Sequence, residues 1–232
     1  MYKRMNVRNK ILGALLATVV MAGGASVAFG HPGEAIASGV SDSAQSAQAV
    51  AAVPAADNPI TTVGKQAYEY RPELTSITLG EGLTSIGDYA FRGDYNLTEI
   101  TIPASVESIG RNAFDGCWNL KTVKFADGSK LKSIGIFAFQ YATGLETINL
   151  PKGLETIGQG AFLHTGLKSI EIPGTVKELP YQVFEASDQL TDVKLNEGVG
   201  RIAEYAFAYT GVEQDNLVVP SGTEVDAKAF DE

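Results

Sequence analysis

The side chains best suited to catalysis are few in this 232-residue chain, and they lie far apart along it. There are two histidines, His31 and His164, and one cysteine, Cys117. Nucleophilic catalysis needs a base within hydrogen-bond reach of the nucleophile and a third group that orients the base, and the sequence supplies no such trio. It shows no ligand spacing of a metal site either. The sequence therefore predicts a protein that is not an enzyme and that needs no metal and no cofactor.

The tripeptide Arg92-Gly93-Asp94 is a candidate binding loop. An exposed loop of this kind can place its carboxylate on the metal of an integrin and its guanidinium in an acidic pocket. A later copy of the surrounding sequence has Asp-Gly-Cys at the same place, so the glycine can also be explained by turn chemistry. Integrin binding and a structural turn are both open at this point.

These residues belong to a motif that recurs along the chain and is seen as LTSIGDYAF at residues 83–91. Its last aromatic residue returns at intervals of 22 to 25 residues and marks each copy. The markers are Tyr68, Phe91, Phe114, Phe139, Phe162, Phe184, Phe207 and Phe230. A period this constant predicts a solenoid in which every copy forms one coil.

One copy, residues 97–119, shows how a coil is built. Ile100 and Ile102 alternate with polar residues, which is typical of a short strand with one buried face. Pro103 lacks an N–H and ends that strand. A second, poorer extended segment follows, and then a tight turn around Phe114. Stacked coils place equivalent apolar residues on one another, so the first strands should pair in parallel about 4.8 Å apart.

Two sets of small or turn-forming residues lead to opposite predictions. Glycine, asparagine or glutamine precedes each new copy, and these corners are predicted to have mostly positive φ. The corners are Asn96, Asn119, Gly144, Gly166, Gln189 and Gly211. The glycine of the Ile-Gly pair is replaced by Pro180 and Ala203 in later copies, so that position should need small size or a turn at negative φ, and not left-handed backbone.

The repeated unit, L-x-x-I-x-(I/L)-P-x-x-(L/V)-x-x-I-G-x-x-A-F, resembles the bacterial BspA-like class of leucine-rich repeats. That class adds x-x-C, which Cys117 completes in one copy only. The resemblance covers residues 60–232, with six full repeats between a partial N-terminal copy and an irregular C-terminal copy. It implies a right-handed leucine-rich-repeat horseshoe of 22–25-residue coils with short parallel β-strands and tight turns. It also implies an exported or surface protein associated with adhesion, attachment to other microbes or recognition by host receptors.

The first 30 residues have the layout of a secretory signal peptide, with four basic residues, an apolar run and small residues at the end. A retained membrane anchor is the alternative. Residues 31–59 are rich in Ala, Ser and Gln and are predicted to form a flexible spacer. We therefore expect a secreted or cell-surface protein that is not inserted in the membrane once the signal is cleaved.

The charge balance argues against nucleic acid as a partner. The residues after the predicted signal peptide hold 14 basic and 27 acidic side chains, a formal net charge of −13. Such a surface repels phosphate backbones.

Two surfaces are candidate binding sites. The first is the concave face of the first strands, with Thr78, Glu99, Thr101, Lys124, Asn149, Glu171 and Lys194. Its mixed charges also fit a plain solvated sheet. The second is an aromatic ridge near the marker turns, with Tyr89, Tyr95, Trp118, Tyr141 and Tyr209, some of which could instead pack between turns.

The expected function is protein–protein binding, with a host matrix or cell-surface protein as partner. A structural or immunogenic surface module without one high-affinity ligand is the alternative, and glycan binding is a third. Because solenoid ends need capping, end-to-end self-association is also expected to be possible.

Overall fold

The computed structural model describes residues 17–20, 26–28, 47–51 and 62–231. Three short strands precede the repeats: β1 (Ala17–Val20), β2 (Ser26–Ala28) and β3 (Ala47–Ala51). Strand β1 pairs antiparallel with both β2 and β3. The rest of the predicted signal peptide and of the predicted spacer lies outside the described residues, and both assignments stay predictions.

The repeats build two rows of strands, because each coil contributes a longer first strand and a two-residue second strand. The first strands are β5 (Leu74–Leu79), β7 (Glu99–Ile102), β9 (Thr122–Phe125), β11 (Thr147–Ile148), β13 (Ser169–Ile172) and β15 (Asp192–Leu195). The second strands are β4 (Thr62–Val63), β6 (Ser85–Ile86), β8 (Ser108–Ile109), β10 (Ser133–Ile134), β12 (Thr156–Ile157), β14 (Glu178–Leu179), β16 (Arg201–Ile202) and β17 (Glu224–Val225). The described residues contain one helix, the 3₁₀ turn Gln214–Asn216.

The first strands form a sheet of order β15-β13-β11-β9-β7-β5-β3-β1-β2, in which the strands of the repeats are all parallel. Its register joins equivalent positions of neighbouring copies: Ile77 lies opposite Ile100, and Ile100 lies opposite Val123. The chain is a parallel solenoid of about 7 turns with about 23 residues per turn, which confirms the predicted repeat fold.

The second strands form two sheets, β12-β10-β8-β6-β4 and β14-β16-β17. The break follows from one residue. In the other copies the residue after the second strand donates its N–H to the preceding coil, as Gly158 does to the Ile134 carbonyl at 2.8 Å. Pro180 stands at that position after β14 and has no N–H to donate, so the ladder is interrupted there.

The marker residues form a single column of stacked rings in the core. Successive centroids lie 5.1 to 5.7 Å apart from Tyr68 to Phe230, and the planes deviate by 18° at most. The rings from Phe91 to Phe207 are fully or almost fully buried. The aligned column predicted from the sequence is thus confirmed.

The seven marker turns from Tyr68 to Phe207 each contain two residues with left-handed backbone, one placed two residues before the marker and one placed two residues after it. Those before are Gln66, Tyr89, Asn112, Phe137, Gly160, Gln182 and Tyr205, and those after are Tyr70, Gly93, Gly116, Tyr141, His164, Ala186 and Tyr209. Most carry side chains, so each costs about 1 kcal/mol of strain. From the Tyr68 turn to the Phe184 turn, the N–H groups at these positions and at the marker donate to carbonyls of the next coil, at 2.8 Å in the Phe91 turn, which offsets that strain.

The prediction of positive φ at the corners before each copy is wrong, because none of those six residues is left-handed. The glycines at these corners are required for a steric reason instead, because a Cβ would clash with the neighbouring coil. A Cβ on Gly166 would lie 2.2 Å from the Thr143 carbonyl oxygen, and one on Gly144 would lie 2.7 Å from that of Trp118. The Ile-Gly glycine needs small size, as predicted: a Cβ on Gly158 would lie 2.4 Å from a backbone nitrogen.

Candidate functional site

The Arg92-Gly93-Asp94 tripeptide is built into the solenoid. Asp94 is fully buried, and its Oδ1 accepts the N–H of Arg71 in the preceding coil at 2.6 Å. Burial raises the pKa of Asp94 to about 8, although the bond from Arg71 acts in the opposite direction. The ring of Tyr70 covers Gly93, since a Cβ there would lie 2.3 Å from a ring carbon. The expected exposed loop is therefore not found, because the carboxylate that an integrin needs faces inward.

Arg92 has a structural role as well. Its guanidinium carbon lies 5.6 Å from the centroid of the Tyr70 ring and 5.5 Å from that of Tyr89. Its nitrogens lie 3.5 Å from a carboxylate oxygen of Glu69 and 3.3 Å from one of Asp115. These contacts join three successive coils, and they pair the positive charge of Arg92 with two carboxylates.

Of the seven residues predicted for the polar face of the first sheet, six lie on the first strands, Asn149 directly follows β11, and all seven are exposed. The charges of this face pair between neighbouring coils: Lys194 Nζ lies 2.9 Å from Glu171 Oε1, and Lys124 Nζ lies 4.0 Å from Glu99 Oε2. A shallow depression of about 320 Å³ opens between β5 and β7, and its lining mixes polar residues such as Thr78 and Glu99 with apolar ones such as Leu79. On the strands of residues 62–231, this face offers solvated pairs and no exposed large apolar side chain to anchor a ligand.

Four of the five residues of the predicted aromatic ridge are exposed. Trp118 is 57% exposed, Tyr209 53%, Tyr141 43% and Tyr95 39%. Tyr89 is half-buried beneath Arg92. The structure places Tyr95, Trp118 and Tyr141 on three successive coils and Tyr209 three coils further on. We call Tyr95, Trp118 and Tyr141 the Trp118 patch.

The Trp118 patch has a defined geometry. The Trp118 ring stacks on Tyr95 with centroids 5.9 Å apart and planes 27° apart, and the Tyr141 ring lies 5.3 Å from that of His164. A Cβ added at Gly116, which has a φ of 72°, would lie 3.9 Å from Trp118 Nε1 and 3.8 Å from the Cα of Gly93, which is ordinary van der Waals contact. The Tyr95 and Trp118 rings thus form a stacked aromatic platform.

The sequence reasoning missed Tyr70, which is 59% exposed. It lies two residues after its marker, as Tyr141 and Tyr209 do after theirs, so the repeat register alone could have placed it on this surface. The Tyr70 ring holds Arg92 and covers Gly93, which lies two residues before Tyr95 in the chain.

Two structural findings bear on other function classes. Within the described residues, no three His, Cys, Asp or Glu side chains converge on a place where a metal ion could sit. The described part of the chain also contains no helix with the length and apolar character to cross a membrane.

Solved structures with a similar fold are leucine-rich repeat proteins. The leucine-rich repeat protein of T. pallidum superposes with a TM-score of 0.66 at 24% identity, over 72% of this chain and 78% of that one. A leucine-rich repeat protein from Bacteroides ovatus gives 0.53 at 29% identity, over 74% of this chain and 50% of that one. This chain therefore corresponds to about half of the B. ovatus protein. No curated protein matches the sequence.

The family described as "BspA type Leucine rich repeat region (6 copies)" matches residues 61–189 and 127–232. The two matches together span every coil of the solenoid, and the description names a repeat and not a reaction. The stacked coils, the marker column and this match show that the chain belongs to the BspA-type leucine-rich repeat family.

Proposed function

We propose that this chain is an exported binding module whose protein ligand docks on the Trp118 patch. The exposure of Trp118 carries the proposal. It is the only tryptophan of the chain, and 57% of it is in contact with solvent. The equivalent positions of other coils hold Pro72, Thr143 and Asp188, so a small or polar residue is sufficient for folding there.

The chemistry of the patch suits a protein interface. Tryptophan and tyrosine are enriched among the residues that supply most binding energy, because they bury a large area at small entropic cost. The backbone beneath the patch is held by inter-coil hydrogen bonds, including Gly116 N–H to the Gln140 carbonyl at 2.8 Å and Tyr141 N–H to the Leu163 carbonyl at 3.0 Å. A rigid platform loses little conformational entropy when a partner docks.

The other two candidate surfaces are weaker. The charges of the first-sheet face are already paired, and exposed ion pairs contribute little to affinity. The Arg-Gly-Asp tripeptide holds coils together. A matrix or cell-surface protein of a host or of a neighbouring cell is the class of ligand that we favour, since an N-terminus with a signal-peptide layout would place the coils outside the cell.

The test is a binding array of matrix proteins, cell-surface proteins and glycans, probed with the full chain and with Trp118→Thr. Thr143 occupies the equivalent position one coil later, so this variant should fold. We expect saturable binding to a protein and a loss of at least about tenfold in affinity, about 1.4 kcal/mol, in Trp118→Thr.

The matched control is Val218→Ala, which trims another exposed apolar side chain, 81% exposed and outside the patch. It should bind like the wild type. A saturable glycan hit with no protein hit, or equal binding by Trp118→Thr, would contradict the proposal. No saturable hit at all would favour a structural or immunogenic surface module. Sequencing the N-terminus of the exported protein would test the signal peptide.

A further inference from the structure

In five successive coils the residue three positions after the marker lines a buried column beside the stacked rings. From the Phe91 coil to the Phe184 coil the members are Asp94, Cys117, Ala142, Thr165 and Ser187, and all are buried. Four of them are small and neutral at ordinary pH. Asp94 is the one carboxylic acid in this column among the described coils, and packing alone gives no reason for it.

Asp94 connects the first two coils through one oxygen and leaves the other without a partner. Its Oδ1 accepts the N–H of Arg71 at 2.6 Å, across 23 positions of the chain. Its Oδ2 is buried and has no hydrogen-bond partner among the described residues. A buried charge with half of its acceptor capacity unused is costly, whereas the neutral acid is tolerated much better.

Ser187 performs the same task without a charge. Its Oγ accepts the N–H of Thr165, the equivalent of Arg71 four coils further on, at 2.9 Å. The Ser187 hydroxyl also donates to the Phe162 carbonyl at 2.8 Å. A neutral side chain is therefore enough to join adjacent coils at this position, and the carboxyl of Asp94 adds only the ability to ionise.

The charged and titratable groups around Asp94 come from both neighbouring coils. Those that act on it or lie next to it are Tyr68, Glu69, Arg71, Glu73, Arg92, Asp115 and Cys117. Glu69 and Glu73 disfavour a negative charge on Asp94, and Arg71 favours it. Arg92 is engaged by Glu69 and Asp115, so it does not serve as a counterion for Asp94.

We propose that Asp94 is a proton-controlled junction between the Tyr68 coil and the Phe91 coil, closed when the carboxyl is protonated and weakened when it ionises. Because the carboxyl is buried and one of its oxygens has no partner within the described part of the chain, the desolvation cost falls mainly on the ionised form. The junction lies next to the Trp118 patch in the chain, since Tyr95 directly follows Asp94. The proposal does not depend on what the patch binds.

The direction of the pH effect follows from proton linkage. The pKa of Asp94 is raised from 3.8 to about 8 by burial, so between these values the folded chain keeps a proton that the unfolded chain has lost. The stabilisation that Asp94 provides is complete below the lower value, declines as the pH rises, and is gone above the higher one. A group of ordinary pKa would produce no slope in this range.

The test is urea unfolding of the full chain between pH 5 and pH 8.5, followed through the fluorescence of Trp118, the single tryptophan. The wild type is compared with Asp94→Ser, which copies Ser187, and with the isosteric Asp94→Asn. Relative to both variants, the ratio of folded to unfolded wild type should fall at least about tenfold across this range. Glu107→Gln, which removes an exposed carboxyl that is not among the groups acting on Asp94, should keep the wild-type profile.

Equal pH slopes in the wild type and in both Asp94 variants would overturn the proposal. A second measurement does not depend on the variants' folding: the carboxyl carbon of Asp94 can be followed by NMR in the native wild type as the pH is changed. A midpoint well above that of ordinary aspartates supports the junction, and a midpoint near 4 contradicts it.

Discussion

The ring of Phe114 lies parallel to that of Phe139, with 5.1 Å between the centroids and 4° between the planes. On its other side Phe114 stacks on Phe91 with the same spacing and angle. Each internal ring of the column therefore has two ring faces in contact and none in water. This is the contact that every coil repeats, so the stability of the solenoid should depend on it more than on any surface pair.

Phe114→Ala should lower the free energy of unfolding by about 3–5 kcal/mol, because the substitution leaves a cavity between two coils that cannot close independently. Urea unfolding gives the value. Phe230→Ala is the matched control: Phe230 is only partly buried, and its ring stacks on that of Phe207 with 5.3 Å between the centroids. The control should cost clearly less, and equal costs would show that the column does not act as a continuous core.

Gly158→Ala should destabilise the fold by roughly 1–3 kcal/mol through overpacking between coils. An added Cβ would lie 2.4 Å from the nitrogen of Ile136 and 2.5 Å from the carbonyl carbon of Gly135, and backbone cannot rotate away as a side chain can. Gly153→Ala is the control, because a Cβ there meets nothing within 4 Å. The melting temperatures of the two variants are compared with that of the wild type. A similar small change in both would mean that the coils separate easily.

The sequence predicted what depends on the repeat period alone. The period determines which residues share a face, so the marker column and the exposed polar face of the first sheet follow from counting. The break in the second row of strands could also be predicted from the sequence, because Pro180 stands where other copies have glycine and cannot donate the ladder hydrogen bond.

Other features leave no residue-type signal. The left-handed positions beside the markers are occupied by residues such as Tyr141 and Gln182, since inter-coil hydrogen bonds offset the strain and relax the usual preference for glycine. The exposed-loop interpretation rests on the tripeptide without its position in the repeat, and the burial of Asp94 contradicts it. Alignment of Asp94 with Cys117 and Ala142 in the repeat would have placed it inside.

Cell adhesion to the immobilised chain, if present, should not be inhibited by a soluble Arg-Gly-Asp peptide. Asp94 is buried and hydrogen-bonded to Arg71, and Arg92 is held by two tyrosines and two carboxylates. Adhesion is counted at increasing peptide concentration, with an Arg-Gly-Glu peptide as control. Selective inhibition by the Arg-Gly-Asp peptide would mean that this turn opens in solution and that the tripeptide is a ligand after all.

Cys117 should resist alkylation in the folded chain at neutral pH. Its side chain is fully buried, its Sγ donates to the Phe91 carbonyl oxygen at 3.1 Å, and burial raises the pKa of the thiol well above its usual value, with the Asp94 carboxyl acting in the same direction. The reactive thiolate is then scarce as well as inaccessible. We expect iodoacetamide labelling, followed by mass spectrometry, to be slower by at least about 100-fold in buffer than in concentrated urea, because labelling in buffer must wait for local opening.

Cys117→Ala provides the unlabelled baseline. Rapid labelling of the native chain would place the thiol at the surface, and that result is incompatible with a closed column beside the stacked rings.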